Sequence, residues 1–197
     1  VLQSQINPHF LCNTLETINC FIDNDEPENA KDMMKLLNNL FIAWVHDNNL
    51  PIPLKDEIKY TKSYIEIQKR RFVNRIMDEW FIDDELAEHR IPKFILQPVI
   101  ENCIYHGNAD HKSRIAINVY CFEKDDNVIL RVVDNGAGMD ELRLAEVQDY
   151  LDKSNSSSIG LYNVNKRIKI FFGEKYGIFI KSKLGKGTMV DIIIPRF

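Results

Sequence analysis

The sequence predicts an α+β protein, in which a helical amino-terminal part precedes helices laid on one face of a mainly antiparallel sheet. Three observations predict this. Apolar residues recur at helical spacing through residues 1–48, strand-like alternation begins after residue 75, and turns rich in Asp, Asn and Gly separate the strands. With 197 residues, 45% of them hydrophobic and 27% charged, the chain can bury one large core or two small ones. The pattern divides it into a helical region 1–54, a connecting helix 55–74 and an α+β region 75–197.

Leu11, Leu15, Ile18 and Ile22 share one helix face, and Asp23-Asn24-Asp25-Glu26-Pro27 reads as a polar turn with proline as the stop. Met34, Leu37, Phe41 and Trp44 make a second stripe, so the two helices form an antiparallel hairpin. A hairpin this short lacks a core of its own, and a second copy of the chain is the simplest partner for its stripes. Residues 49–54 are a proline-punctuated linker, and a third helix follows over 55–72. Residues 76–83 read as a strand and 93–106 as a helix with Pro92 in its first turn. Residues 115–122 and 128–133 read as strands joined by a turn. Residues 158–172 read as a helix closed by Gly173, and 177–182 with 188–194 as a final hairpin. The Ser-rich piece 154–158 suggests a mobile segment.

A net charge of −4 gives no basic face for a nucleic-acid backbone. Cys12, Cys20, Cys103 and Cys121 form no CxxC pair and read as free thiols of a reducing compartment. No apolar run reaches the roughly 18 residues a membrane span needs, and no signal peptide is visible. The start at Val1, directly in helix-like sequence, reads as that of a fragment.

Four pieces carry chemistry. In Val133-Asp134-Asn135-Gly136-Ala137-Gly138 a strand runs into Asp-x-Gly-x-Gly. The glycines let the backbone approach a ligand, and a partly buried Asp134 can accept from an exocyclic amine such as that of adenine. In Gln97-Pro98-Val99-Ile100-Glu101-Asn102, the amide oxygen of Asn102 suits Mg²⁺, a hard cation. Gly160 opens an amphipathic helix whose free N–H groups and positive dipole end suit phosphate. Gly185-Lys186-Gly187-Thr188 precedes the last strand, and a plain hairpin turn explains it equally well. Taken singly, each piece is weak; their order is what informs.

That order resembles the Bergerat-type ATP-binding fold, an α/β sandwich shared by histidine kinases, gyrase, Hsp90 and MutL, over roughly residues 75–195. The resemblance implies Mg²⁺ at Asn102, the adenine amine at Asp134, nucleotide contacts from Gly136, Gly138, Gly160, Leu161 and Thr188, and a mobile lid over 139–158. No GxxxxGK[ST] loop and no HRD or DFG set supports another ATP fold. Near the start, Gln5-Ile6-Asn7-Pro8-His9-Phe10-Leu11-Cys12-Asn13 resembles the phosphoacceptor box of LytS/YesM-type sensor histidine kinases, with Cys12 in place of a phenylalanine. Tyr64-Ile65-Glu66-Ile67-Gln68-Lys69, Ile91-Pro92 and Leu96-Gln97-Pro98 extend the match. The family implies a dimerising four-helix bundle, ATP-dependent phosphorylation of His9, transfer to an aspartate of a response regulator, and an upstream membrane sensor that leaves this part cytoplasmic. A non-kinase ATPase of the same fold and a catalytically degenerate dimeric module are the alternatives.

Histidine attacks phosphorus as neutral imidazole, and its reference pKa of about 6.5 leaves it mostly neutral in cytoplasm, so positioning is the main task. Many histidine kinases carry an acidic residue directly after the histidine. Here Phe10 stands there, and Asn13, one turn on, is the candidate helper. Pro8 is either the start of a helix capped by Asn7 or a kink in a longer one. Tyr105 stands where relatives often have a phosphate-contacting lysine, with His106 and Lys112 as nearby substitutes, and Ser158 replaces a usual glycine. Pro98 occupies the position of the catalytic glutamate of the hydrolytic relatives, which disfavours a hydrolase.

Overall fold

The computed structural model describes residues 8–45, 50–73, 75–106, 114–152 and 159–196. The readings of Asn7 as a cap, Lys112 as a phosphate contact and Ser158 as a hinge, and the Ser-rich piece, lie outside the described residues.

Helices α1 (Pro8–Asp23) and α2 (Pro27–Val45) form the expected hairpin. Pro27, expected as a stop, instead opens α2, where its missing N–H leaves no bond unmade. The apolar faces also differ from expectation. In α1, Ile18 is buried together with Phe10 and Thr14, while Leu15 and Ile22 stay 52% and 57% exposed. In α2, Ala30, Met33, Leu40 and Ala43 are buried, while Met34 and Phe41 are 54% and 42% exposed. The inner face lies against α3 (Leu54–Arg71), and a second apolar face points outward.

The linker before α3 is not merely a connection. Its Ile52–Pro53 forms β1, antiparallel to β3 (Arg90–Ile91). The start of α3 is further tied there by Leu54 N–H to His89 O at 2.8 Å and Lys55 N–H to Ala87 O at 3.0 Å. The chain then passes through the buried residues Phe94, Ile95 and Leu96 before α4 begins. Helix α4 spans Gln97–His106, four residues later than the apolar pattern suggested.

The main sheet combines β2 (Ile76–Ile82), β4 (Ile115–Lys124), β5 (Asn127–Asp134), β6 (Gly177–Lys183) and β7 (Gly187–Pro195). Its order is β2-β4-β5-β7-β6, with β2 and β4 parallel and the other pairs antiparallel. Asp125 and Asp126, both at positive φ, close the β4–β5 hairpin in two residues, the geometry that matches strand twist. Helix α4 packs on β4 and β5, and α6 (Ile159–Phe172) on β6 and β7. The segment expected as a loop after Asp134 contains a further helix, α5 (Glu141–Asp152), packed on α6 and β6 through the buried Val147 and Leu151. The sheet face turned away from the helices carries Phe81 stacked on Tyr120 and a two-bond Arg131–Asp191 ion pair at 2.7 and 2.8 Å.

Candidate nucleotide and phosphoacceptor sites

Strand β5 delivers Asp134 to the edge of the helical layer, where its side chain is only 6% exposed. Oδ1 accepts from the backbone N–H of Gly136 at 2.8 Å and of Thr188 at 3.3 Å, so two sequence-predicted residues meet a third. The Cys103 thiol of α4 also donates to this carboxylate. Burial pushes the Asp134 carboxyl above the ordinary range, against the lowering effect of these donors. The thiol of Cys103 is itself driven up by burial and by the nearby Asp134 charge.

Two glycines let the loops close around this carboxylate. A Cβ on Gly187 (φ 91°) would sit 1.9 Å from the carbonyl oxygen of Asp134, and one on Gly138 (φ 64°) 2.1 Å from that of Lys183. Met139 N–H donates to Ser182 Oγ at 2.9 Å, and that hydroxyl meets Thr188 Oγ1 at 3.0 Å, fixing the loop after Asp134 to the β6–β7 hairpin.

Asn102 is the residue before Cys103, and so reaches the same end of the sheet. Its Nδ2 donates to Pro98 O at 2.7 Å. That bond occupies the amide nitrogen, and Oδ1 is the atom a hard cation would use. Among the described residues no group of three or more His, Cys, Asp or Glu forms a metal cage. A cation here would take one protein oxygen and the phosphates, the usual arrangement for Mg²⁺. Gly160, in the first turn of α6, faces Pro98, with room for a Cβ at 3.8 Å, and Leu161 beside it is buried.

His9 and Asn13 lie apart from this cradle, on α1. The imidazole is exposed, and the Asn13 amide nitrogen lies 3.0 Å from Nδ1 and 3.3 Å from Nε2. Two positions singled out in the sequence, Phe10 and Tyr105, acquire a structural account. Phe10 is buried and stacks on Tyr64 of α3 at 5.1 Å. Gln68 of α3 donates to Tyr64 Oη at 2.7 Å and to Tyr105 Oη at 3.2 Å. The Tyr105 hydroxyl is thus tied to α3, and sequence reasoning, which weighed Tyr105 only against phosphate, missed this. It also missed Cys103, Gln68 and Glu57, whose contacts span distant parts of the chain. Burial raises the carboxyl of Glu101, which accepts from Gln97 at 2.9 Å.

This combination of an α+β sheet, a strand-end aspartate and a glycine-lined hairpin defines a class of ATP-binding proteins. A family model described as "Histidine kinase-, DNA gyrase B-, and HSP90-like ATPase" matches residues 88–197, and one described as "Histidine kinase" matches residues 1–76. The chain belongs to the histidine kinase-, DNA gyrase B- and HSP90-like ATPase family. It is 32% identical to sensor protein LytS of Bacillus cereus and 36% identical to sensor histidine kinase YesM of Bacillus subtilis, over 99% and 98% of its length. It spans about a third of those relatives, 33% and 32%. Among solved structures, the histidine kinase domain of the blue-light activated kinase EL346 from Erythrobacter litoralis aligns with a TM-score of 0.55 at 17% identity, covering 98% of this chain and 77% of that one. Histidine kinase ThkA, solved in complex with response regulator protein TrrA, aligns at 0.56 and 15% identity, covering 96% of this chain and 59% of that one.

Proposed function

We propose that this chain is the catalytic core of a sensor histidine kinase that binds Mg²⁺-ATP at the Asp134 cradle, phosphorylates His9, and passes the phosphoryl group to an aspartate of a response regulator. In this reading Asp134 accepts from the adenine amine, and Gly136, Gly138, Gly160, Leu161 and Thr188 line the nucleotide. Asn102 offers its amide oxygen to Mg²⁺, which offsets phosphate charge. His9 supplies the nucleophilic ring nitrogen, and Asn13 holds the imidazole in orientation. The observation that carries the reading is the exposed His9, with an amide against its ring, in the same chain as a buried, glycine-cradled Asp134. The outward face of Leu15, Ile22, Met34 and Phe41 supports a homodimer with a four-helix bundle, residues 1–54 forming that region and 75–197 the ATP-binding domain. An upstream membrane sensor, with this core on the cytoplasmic side, completes the proposal. No helix among the described residues is long and apolar enough to cross a membrane.

The test is incubation with γ-labelled ATP and Mg²⁺. Label that is acid-labile, absent from His9→Gln and reduced in Asn13→Ala is the expected result. Steady hydrolysis without labelled histidine would point to an ATPase, and loss of Mg²⁺-ATP binding to a degenerate module.

A further inference from the structure

Glu57 is the most deeply buried carboxylate among the described residues, with 0% exposure, and no step proposed above uses it. It lies in the first turn of α3, yet both its oxygens face another part of the chain. Oε2 accepts from Phe94 N–H at 2.8 Å and Oε1 from Leu96 N–H at 2.9 Å. The Ile95 N–H also points to this carboxylate. Leu96 O in turn receives Val99 N–H at 3.1 Å and Ile100 N–H at 3.2 Å, so Leu96 is the cap of α4. A side chain from α3 therefore accepts from the N–H of the cap residue itself, the bond that a Glu or Gln three residues into the helix makes in a capping box and that Val99 cannot make here. Its negative charge also faces the positive end of α4.

The segment is held from the other side as well. The Arg167 guanidinium of α6 donates to Lys93 O and is near enough for its charge to favour ionised Glu57. Between the two, Phe94 is kept in a left-handed conformation (φ 55°), a backbone state that a phenylalanine seldom adopts without surrounding support. An apolar side chain at 57 could fill the same space without removing a carboxylate from water. The carboxylate's distinct contribution is geometry: two short bonds that fail if α3 shifts by a fraction of an ångström.

Helix α3 is also the element on which the phosphoacceptor hairpin packs. Phe10 stacks on its Tyr64, and Arg70 donates to Asn29 O of α2 at 3.3 Å. A one-residue shift of α3 would move Glu57 by about 1.5 Å along the axis and rotate it about 100°. The bonds to Phe94 and to the cap residue Leu96 would then break, at the start of the helix that carries Asn102 and Cys103.

We infer that Glu57 is a positioning residue that latches α3 to the start of α4, so that nucleotide affinity follows the placement of the connecting helix. This rests on the reading of the Asp134 cradle as the nucleotide site. The carboxylate touches neither nucleotide nor imidazole; it acts through α4.

The experiment compares the full chain with Glu57→Gln and Glu57→Asp. Three quantities are measured: Mg²⁺-ADP affinity by calorimetry, KM and kcat for His9 labelling, and amide hydrogen exchange by segment. In Glu57→Gln an amide N–H faces a backbone N–H. Exchange across 94–100 is expected to quicken at least tenfold while β4 and β5 stay protected. Kd and KM for nucleotide are expected to rise about five- to tenfold, with kcat at saturating ATP within twofold. Glu57→Asp, one methylene short, keeps the charge and is expected to show the same direction of change, so the inference is judged even if Glu57→Gln does not fold. Unchanged exchange at 94–100, or a fall in kcat with KM and Kd unchanged, overturns the latch and leaves an ordinary structural glutamate. If the unsubstituted chain binds Mg²⁺-ADP but never labels His9, the kinase reading fails, and exchange and Kd still decide the latch. If it binds no nucleotide, both fall.

Discussion

Replacing Asp134 with asparagine keeps the shape of the β5 strand end and changes one carboxylate oxygen into an amide N–H. Both backbone bonds, from Gly136 and Thr188, fall on Oδ1, so the asparagine carbonyl can retain them. The loss is concentrated on the other oxygen, which becomes an amide N–H facing an incoming amine. A hydrogen bond to a charged group contributes about 1.5–3 kcal/mol. At roughly 1.4 kcal/mol per decade, nucleotide affinity should fall about 10- to 100-fold. Folding should not suffer in step. The Asp134 carboxyl is raised by burial, so its charge is a cost to the folded state at neutral pH, and the neutral amide removes that cost. Calorimetric titration with Mg²⁺-ADP, beside a thermal melt, separates the two effects. A Kd within twofold of the unsubstituted chain would refute the adenine assignment. So would an affinity loss seen only when the melt also collapses, since the residue would then be a fold determinant.

The same raised carboxyls set a pH dependence. Asp134, Glu57 and Glu101 all stand above their ordinary values, mainly through burial. Each contributes stability that is complete below its unfolded value, 3.8 for Asp134 and 4.5 for the glutamates, and is lost as pH rises through the folded one. Denaturant melts of the unsubstituted chain and Asp134→Asn should therefore diverge with rising pH, against the unsubstituted chain; a constant difference contradicts the burial argument. Gly187→Ala forces a Cβ onto the Asp134 carbonyl and should lower both stability and nucleotide affinity. Gly185→Ala, equally left-handed but with nothing within 4 Å, should cost only the backbone strain of about 1–2 kcal/mol and leave Kd unchanged. Equal affinity losses in the two variants would dissociate the hairpin from the cradle. Phe41→Lys, on the outward face of α2, should shift sedimentation from dimer toward monomer while circular dichroism stays unchanged.

The strands were legible because burial alternates along them with period two, as in β4 from Ile115 to Cys121. Helix α5 was not, since Val147 and Leu151 are the buried residues among those whose side chains are described in it, and its apolar stripe is faint. Its run of Glu, Leu, Arg and Ala did carry a propensity signal that periodicity alone passes over. The start of α4 was misjudged for a different reason. Phe94, Ile95 and Leu96 are buried, as a helix face would be, but their backbone is held by Glu57, which lies 37 and 39 residues earlier at Phe94 and Leu96. Cys103 on Asp134 and Gln68 on Tyr105 are of the same kind. A motif marks residues that share a stretch of chain; contacts made across the fold leave no spacing to read.

The amino-terminal hairpin shows how a correct pattern can still point to the wrong face. Leu11, Leu15, Ile18 and Ile22 do repeat at helical spacing, and α1 does form. Yet the buried row is Phe10, Thr14 and Ile18, set by the aromatic contacts of Phe10 with Tyr64 and Trp44 and by Thr14, whose hydroxyl is satisfied within the helix by Phe10 O at 2.7 Å. A threonine with an internal partner can enter a core without an unmet polar group, so a residue that scores as polar counts as interior here. Leu15 and Ile22 are thereby left exposed, as are Met34 and Phe41 of α2. One hairpin thus carries two sets of apolar residues, one buried within the chain and one exposed.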